Sequence, residues 1–378
     1  SFRYLPHYMR RISQYIHLLT GWPDFQWSDE RVLSPLTTVR HKQGRLLGRL
    51  ESLGFKLQEE TNLQTLSQDV IKSSEIEGEN LPLDQVRSSI ARRLGIEIAG
   101  EVAVSRNVEG VVDMMLDATQ HYDQPLTDER LFSWHASLFP DQRSGVYKIR
   151  VGSWRNDAKG PMRVVSGAIG RERIHYEAPE AHRLNVEMEK FIDWFNGENT
   201  GDPVLKAAIA HLWFVTIHPF EDGNGRIARA IADMQLARAD ATRQRFYSMS
   251  AQIQRERYTY YDVLEQTQKG NLDITNWLLW FITCLDRAIT TSEENLSGVI
   301  QKARFWELNQ SVALNERQRK MLNKLFDGFE GNLSSSKWAK ITKCSTDTAL
   351  RDIQDLVEKQ ILEKEEGGGR STSYRIKH

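Results

Sequence analysis

Twelve consecutive residues concentrate the chemistry of this chain: His218-Pro219-Phe220-Glu221-Asp222-Gly223-Asn224-Gly225-Arg226-Ile227-Ala228-Arg229. An imidazole titrates near ~6.5, so His218 is the one nearby group suited to accept a proton at neutral pH. The glycines let a phosphate approach the backbone closely. Arg226 and Arg229, spaced i,i+3, share a helix face from which both can reach one polyphosphate. A carboxylate at Asp222 would repel that phosphate unless a cation intervened, and the economical solution is Mg²⁺ held jointly by Asp222 and phosphate oxygens. A base, a magnesium ligand, an anion cradle and two arginines describe phosphoryl or nucleotidyl transfer.

Two helices must position this set. The apolar run Val204 to Ile217 is long enough for one, and Ile227, Ile231, Met234 and Leu236 begin another. Gly-Asn-Gly then sits at the mouth of the second helix, where the first N–H groups lack partners and the dipole end is positive. Gly223 to Ala228 also fits the dinucleotide pattern G-x-G-x-x-G/A. A polar His-Pro-Phe-Glu-Asp insert separates the apolar run from the glycines, however, whereas a Rossmann turn follows its strand directly. The plainest alternative is a connecting loop with no chemistry. No G-x-x-x-x-G-K-[ST] occurs, which excludes a P-loop enzyme.

The segment resembles the Fic motif, H-x-F-x-[DE]-G-N-G-R-x-x-R, at every specified position, and the likeness extends over about Val102 to Leu296. The resemblance implies a mainly α fold with a β-hairpin flap. It also implies transfer of AMP from ATP to a Ser, Thr or Tyr hydroxyl of a target protein, or of the chain itself, with release of pyrophosphate. Carried over, His218 deprotonates the hydroxyl and Asp222 holds the Mg²⁺. Gly223, Asn224 and Gly225 form the anion hole, Arg226 and Arg229 grip the β- and γ-phosphates, and Ile227 and Ala228 complete the ATP-binding turn. Phe220 anchors the loop. The flap corresponds to Met162-Arg163-Val164-Val165-Ser166-Gly167, whose edge would pair with the target peptide. Tyr260, Tyr261 and Gln268 resemble adenine-pocket residues, helix-packing aromatics being the alternative for the tyrosines.

Upstream, Glu77 stands one residue before the helix-ending Gly78, between Glu75 and Glu79. Negative charge at that dipole end costs ~0.3 to 1 kcal/mol and asks for a cationic partner, unless the cluster is simply solvated. Ser73-x-x-x-Glu77-Gly78 resembles the inhibitory motif [ST]-x-x-x-E-[GN] of Fic proteins. That resemblance implies that Glu77 pairs with Arg229, displaces the γ-phosphate and keeps the enzyme nearly silent. Some family members use this glutamate to help water remove AMP, so removal is a second implied activity.

The rest of the chain sets the frame. Its 378 residues carry a net charge of -1 with 40% hydrophobic content, which excludes disorder and any whole-protein attraction to nucleic acid or anionic lipid. Cys284 and Cys344 lie in different predicted domains, so a reducing cytoplasm is expected. Trp277 to Leu285 is too short for the ~20 residues of a membrane helix. Ser1-Phe2-Arg3-Tyr4-Leu5-Pro6 lacks a signal-peptide core, and its start at Ser1 reads as a processed or trimmed end.

Three parts are expected: residues 1–100, helical and carrying the inhibitory motif; residues 101–300, the Fic-like core; and residues 311–378, a winged helix-turn-helix. Helical spacing spans about Leu36 to Gly78 as two helices, β-branched pieces at Val164-Val165 and Ile174-His175-Tyr176 among glycines such as Gly170 give one hairpin, and helices then run to about Leu296. The aromatic knot Trp22-Pro23-Asp24-Phe25-Gln26-Trp27 suggests packing onto the core or a homodimer contact. The last segment reads helix, short helix, helix, then two strands around Gly367-Gly368-Gly369. Its presumed recognition helix, Thr346 to Gln360, has net charge -2 from Asp347, Asp352, Asp355 and Glu358 against Arg351 and Lys359, which favours a protein contact over DNA. The alternative from another class is a nucleotide-sensing transcriptional regulator or binding module. His211, His121, His135, His175 and His182 show no metal-ligand spacing, and His211 reads as core.

Overall fold

A computed structural model describes residues 15–98, 102–158, 160–167, 171, 173–198, 201–326, 329, 331–365 and 372–377, apart from the side chains at 299 and 303. The expectations for Ser1 to Pro6, Gly170 and Gly367 to Gly369 lie outside the described residues. The chain divides into two compact units, up to Ser292 and from Glu293.

In the first unit the helices are α1 (Asp29–Glu51), α2 (Phe55–Ile76), α3 (Leu83–Leu94), α4 (Arg106–Gln120) and α5 (Asp128–Leu138). Next come two antiparallel pairs, β1 (Arg143–Ser144) with β2 (Tyr147–Lys148) and β3 (Arg163–Ser166) with β4 (Arg173–Glu177). Then follow α6 (Leu184–Asn196), α7 (Pro203–Ile217), α8 (Asn224–Asp240), α9 (Met249–Arg255) and α10 (Arg257–Gln268), and α11 (Thr275–Leu308) begins in this unit and continues into the second. The helix α11 therefore runs past Leu296, the expected end of the helical region. The β1–β2 pair escaped the sequence reading because two residues per strand leave no alternation to detect.

Local chemistry explains these elements. Ser28 accepts from the Arg31 amide to start α1, and Asp29 and Glu30 follow at its positive end. Its buried Val32, Leu36, Val39, Leu46 and Leu50 form one stripe. Asp202 accepts from the Val204 amide and Pro203 occupies the first turn of α7. Almost the whole of α7 is buried, and α8 packs along it. Such all-round burial marks a central helix. The N-terminal aromatic knot packs onto this core: Trp22 and Phe25 meet Trp213 edge-on, and the Trp22 indole donates to Glu187.

In the second unit the helices are α12 (Glu316–Phe326), α13 (Ser335–Thr342) and α14 (Thr346–Glu358), and β5 (Leu362–Lys364) pairs antiparallel with β6 (Tyr374–Ile376). A bridge from Leu333 to Tyr374 adds a third extended piece. Met321, Leu322, Trp338, Ile353, Leu356 and Leu362 fill its core. Two of the acids counted on α14 are partnered: the buried Asp352 accepts from Arg317 and Asn315, and the part-exposed Asp355 from Gln318 and Lys359. Of the acids counted on α14, Asp352 is thus withdrawn from the surface and paired with Arg317. Among the described residues no helix is long and apolar enough to cross a membrane.

Candidate active site

The twelve-residue motif closes the gap between α7 and α8. His218 ends α7 in the left-handed conformation, with φ 52°, and Gly223 opens α8 with φ 80°. A side chain at Gly223 would also meet Phe139 at 2.9 Å, so glycine is required on two counts. Between them the loop is tied to itself: the Asn224 amide donates to the Phe220 carbonyl at 2.9 Å and its oxygen accepts from the Phe220 N–H at 3.0 Å. The Asn224 side chain thus faces inward and braces the loop. Only its backbone remains for the anion role expected of it. Phe220 is fully buried, stacked on His135 at 4.1 Å and flanked by Trp154 and Phe132.

Each ionisable group of the loop is held by a partner. His218 Nδ1 donates to the Val215 carbonyl at 3.2 Å, because that oxygen can only accept, and this leaves Nε2 as the unprotonated nitrogen. Burial is the main force that pushes this imidazole down to about 4, with the nearby Arg155 adding to it and Val215, Asp222 and Glu77 opposing. His218 is accordingly neutral at pH 7. The Asp222 carboxylate accepts from the Gly223 N–H at 2.6 Å and from the Ser144 hydroxyl. Its carbonyl accepts from His135 Nε2 at 3.2 Å, while His135 Nδ1 accepts from the Gly152 N–H. Burial also lowers His135, to about 4.

The negative end of α2 meets the positive end of α8 here. Arg229 Nε donates to the Ser73 hydroxyl at 2.9 Å, and Nη2 donates both to the Ser73 carbonyl at 2.8 Å and to Glu77 Oε1 at 2.7 Å. Gly78, with φ 83°, supplies the left-handed turn that ends α2. The Glu77 carboxylate lies so close over Gly225 that a methyl group there would stand 2.2 Å from Oε1. Arg226 Nη1 donates to Glu79 at 2.6 Å and its guanidinium stacks over Phe139. Arg226 Nε and Arg229 Nη1 are buried donors with no partner among the described residues. Arg229 Nη1 would lie 3.3 Å from a methyl placed on Gly225, which puts it at the helix mouth. Ile227 and Ala228 are buried in α8.

Beside this mouth lies a cavity of about 590 Å³, lined by Glu77, His218, Gly225, Tyr261, Gln268 and the flap residues Val164, Val165 and Ser166. Its size suits a nucleotide. Gly167 follows the strand with φ 106°. The flap is the β3–β4 pair, with Val164 opposite Tyr176 and Val165 opposite Ile174. Of the adenine-pocket residues, Tyr261 is exposed along the cavity and its hydroxyl reaches the Ile76 carbonyl at 3.4 Å. Tyr260 borders the cavity but is buried among Trp277 and Trp280, and its hydroxyl bonds His211, so its main role is packing. Gln268 donates to the Thr216 hydroxyl at 3.2 Å.

Four contributors escaped the sequence reading: His135, Ser144, Glu79 and Arg155. Arg155 is buried and its Nε donates to the His218 carbonyl at 2.8 Å, with Nη1 on Asp157 and Nη2 on the Pro179 carbonyl. No local spacing marks it. The fit for Mg²⁺ rests on the chemistry of Asp222, a hard oxygen donor in the motif whose two arginines keep unpartnered donors that suit phosphate.

Two segments of the chain match known families. Residues 125–236 match the Fic/DOC family, and residues 15–96 match a domain of unknown function (DUF4172). The chain is 26% identical over 229 residues to a protein adenylyltransferase Fic of Aedes aegypti, covering 59% of this chain and 40% of the relative. It is 29% identical over 166 residues to protein adenylyltransferase fic-1 of Caenorhabditis elegans, covering 43% and 30% respectively. The chain thus spans well under half the length of these relatives. Among solved structures, a Fic family protein from Desulfovibrio desulfuricans G20 superposes with TM-score 0.50 at 18% identity, covering 96% of this chain and 98% of that one. A Fic domain containing signaling protein from Bacteroides thetaiotaomicron VPI-5482 gives TM-score 0.51 at 22% identity, covering 69% and 97%. These two show a shared fold. The complete motif between α7 and α8 lies inside the segment, residues 125–236, that matches the Fic/DOC family.

Proposed function

We propose that this chain is a protein adenylyltransferase held inactive by its own Glu77. The observation that carries the reading is the seat of that carboxylate. It pairs with Arg229 at 2.7 Å and rests over Gly225 at the mouth of α8, where an anion is best received. A built-in anion thus occupies the place that suits a terminal phosphate of ATP.

In the transfer, the target Ser, Thr or Tyr hydroxyl gives its proton to His218 Nε2 as its oxygen attacks the α-phosphorus. The bond from that phosphorus to the β-phosphate oxygen breaks, and pyrophosphate leaves. The first-turn amides of α8, with Arg226 and Arg229, stabilise the departing negative charge. Mg²⁺ would be held by Asp222, and it supplies charge neutralisation between the phosphates. With Glu77 in place, ATP would bind with its α-phosphate out of line, and such misplacement costs orders of magnitude in rate. Because Glu77 and His218 line one cavity, removal of AMP by water is the second activity we assign to this site.

The domain assignment follows: residues 1–100 carry the restraint, 101–300 the transfer site, and 311–378 form a winged helix-turn-helix that chooses a protein target more readily than it binds DNA. The test is Glu77→Gly with Mg²⁺ and ATP labelled on either the α- or the γ-phosphate. Protein labelled from α alone supports the proposal. Label from γ means kinase chemistry, and no label from either favours a nucleotide sensor.

A further inference from the structure

Three side chains at the flap are unused by this mechanism and form a continuous hydrogen-bonded chain. Ser166 Oγ lies 2.5 Å from His175 Nε2, and His175 Nδ1 lies 2.6 Å from Glu265 Oε2. They come from three elements, with Ser166 closing β3, His175 in the middle of β4 and Glu265 on α10. All three line the cavity that also contains His218 and Glu77.

The direction of the protons follows from the partners. Glu265 also accepts from Arg173 at 3.0 Å and from Lys269 at 2.6 Å. Burial works against its charge, but the bonds from Lys269, His175 and Arg173 prevail and hold the carboxyl down to about 2. An ionised carboxylate only accepts, so His175 Nδ1 carries the hydrogen. In the neutral imidazole Nε2 is then bare, and the Ser166 hydroxyl donates to it. A hydroxyl on an imidazole that is in turn oriented by a carboxylate is the arrangement that activates a serine as a nucleophile. Ser166 is exposed, so its oxygen is accessible.

We propose that Ser166 is a self-adenylylation site of this chain, with His175 as its own general base and Glu265 orienting that base. The inference rests on the adenylyltransferase reading for its co-substrate, Mg-ATP. Ser166 Oγ attacks the α-phosphorus and its proton passes to His175 Nε2. A new O–P bond forms, the bond to the β-phosphate breaks, and pyrophosphate departs. The flap would then carry an adenylate on the edge assigned to the target peptide, so the modification would limit further transfer. A purely structural latch, joining the flap to α10, would use the same contacts but leave Ser166 unmodified.

The full-length Glu77→Gly protein, incubated with Mg-ATP and mapped by peptide mass spectrometry, separates these outcomes. Adenylate on Ser166 is expected. Adding Ser166→Ala, an exposed position, should remove that peptide's modification while label elsewhere persists. Adding His175→Ala should slow modification of Ser166 by about 10²-fold or more, the usual worth of a general base. Adenylate on other residues but never on Ser166 overturns this inference and leaves the adenylyltransferase reading standing. Modification of Ser166 that is unchanged by His175→Ala and abolished by His218→Ala overturns the assigned base. Absence of adenylate on any protein overturns both readings.

Discussion

The motif loop and the flap border the same cavity and are built in opposite ways. The loop at 218–223 is braced from within by Asn224, from below by the stacked Phe220 and His135, and from the side by Arg155. These braces are buried and most of them bond to backbone. The flap is a short strand pair with a register irregularity between Val164 and Val165, held to α10 through Glu265, which takes the exposed Arg173 and the His175 imidazole. Groups that must meet a transition state need fixed geometry, whereas an edge that receives another chain must keep its backbone available. Rigidity has been placed where proton transfer needs it.

The largest expected effect tests the loop's chemistry. In the Glu77→Gly background, His218→Ala should lower the transfer rate by about 10² to 10⁴-fold, because a positioned base contributes that much. Nucleotide affinity, read by calorimetry, should change little, since the imidazole does not grip phosphate. An equal loss from Ser166→Ala would erase the contrast between loop and flap.

Acid probes the same contrast. Burial lowers His17, His135 and His218 to about 4 and His211 to about 3, each against an ordinary value of 6.5. In every case the folded state binds its proton later than the unfolded chain does. The stability these neutral imidazoles permit is complete above pH 6.5 and is lost as pH falls from there toward 4. The slope approaches ~1.4 kcal/mol per pH unit for each proton taken up. Urea melts at pH 7.0, 6.0 and 5.0 should show the decline, and a flat profile would mean that these histidines are charged or exposed.

Much of this was legible because the motif is local. His218, Asp222, the glycines and both arginines lie within one loop and one helical turn, so spacing alone assembles them. Glu77 was legible for a related reason: a negative residue at a helix end needs a cation, and Arg229 supplies it. Arg155 and His135 were not legible, since they meet the loop across 63 and 87 residues and nothing in their neighbours requires it. Tyr260 shows how one side chain can meet both readings given for it. The resemblance put it at the adenine pocket, with helix packing as the alternative; it borders the cavity and also packs on the Trp277 cluster, because successive residues on a helix face different directions.

That difference in burial gives a direct stability comparison between two arginines. Removing Arg155 strands the buried His218 and Pro179 carbonyls, and Arg155→Ala should cost about 2 to 4 kcal/mol. Arg173 is 70% exposed at its side chain and pairs with a glutamate that keeps two other donors, so Arg173→Ala should cost less than about 1 kcal/mol. Chemical denaturation measures both. Equal losses would mean that the flap is as integral to the fold as the loop.

The smallest expected effect concerns the two glutamates of the restraint. Glu77 and Glu79 flank Gly78, and each takes one arginine of the motif, Arg229 and Arg226 respectively. They are not equivalent. Glu77 sits over Gly225 at the helix mouth, so its removal both frees Arg229 and vacates the anion seat. Glu79 only neutralises Arg226, whose guanidinium remains pinned over Phe139. Glu79→Gln should therefore raise the basal transfer rate by no more than about threefold, in keeping with a part-exposed ion pair worth ~1 kcal/mol or less. Added to Glu77→Gly, it should increase the rate by a similar small factor, because the two carboxylates act on different arginines. Activation by Glu79→Gln alone that matched Glu77→Gly would shift the restraint from occupancy of the helix mouth to neutralisation of Arg226.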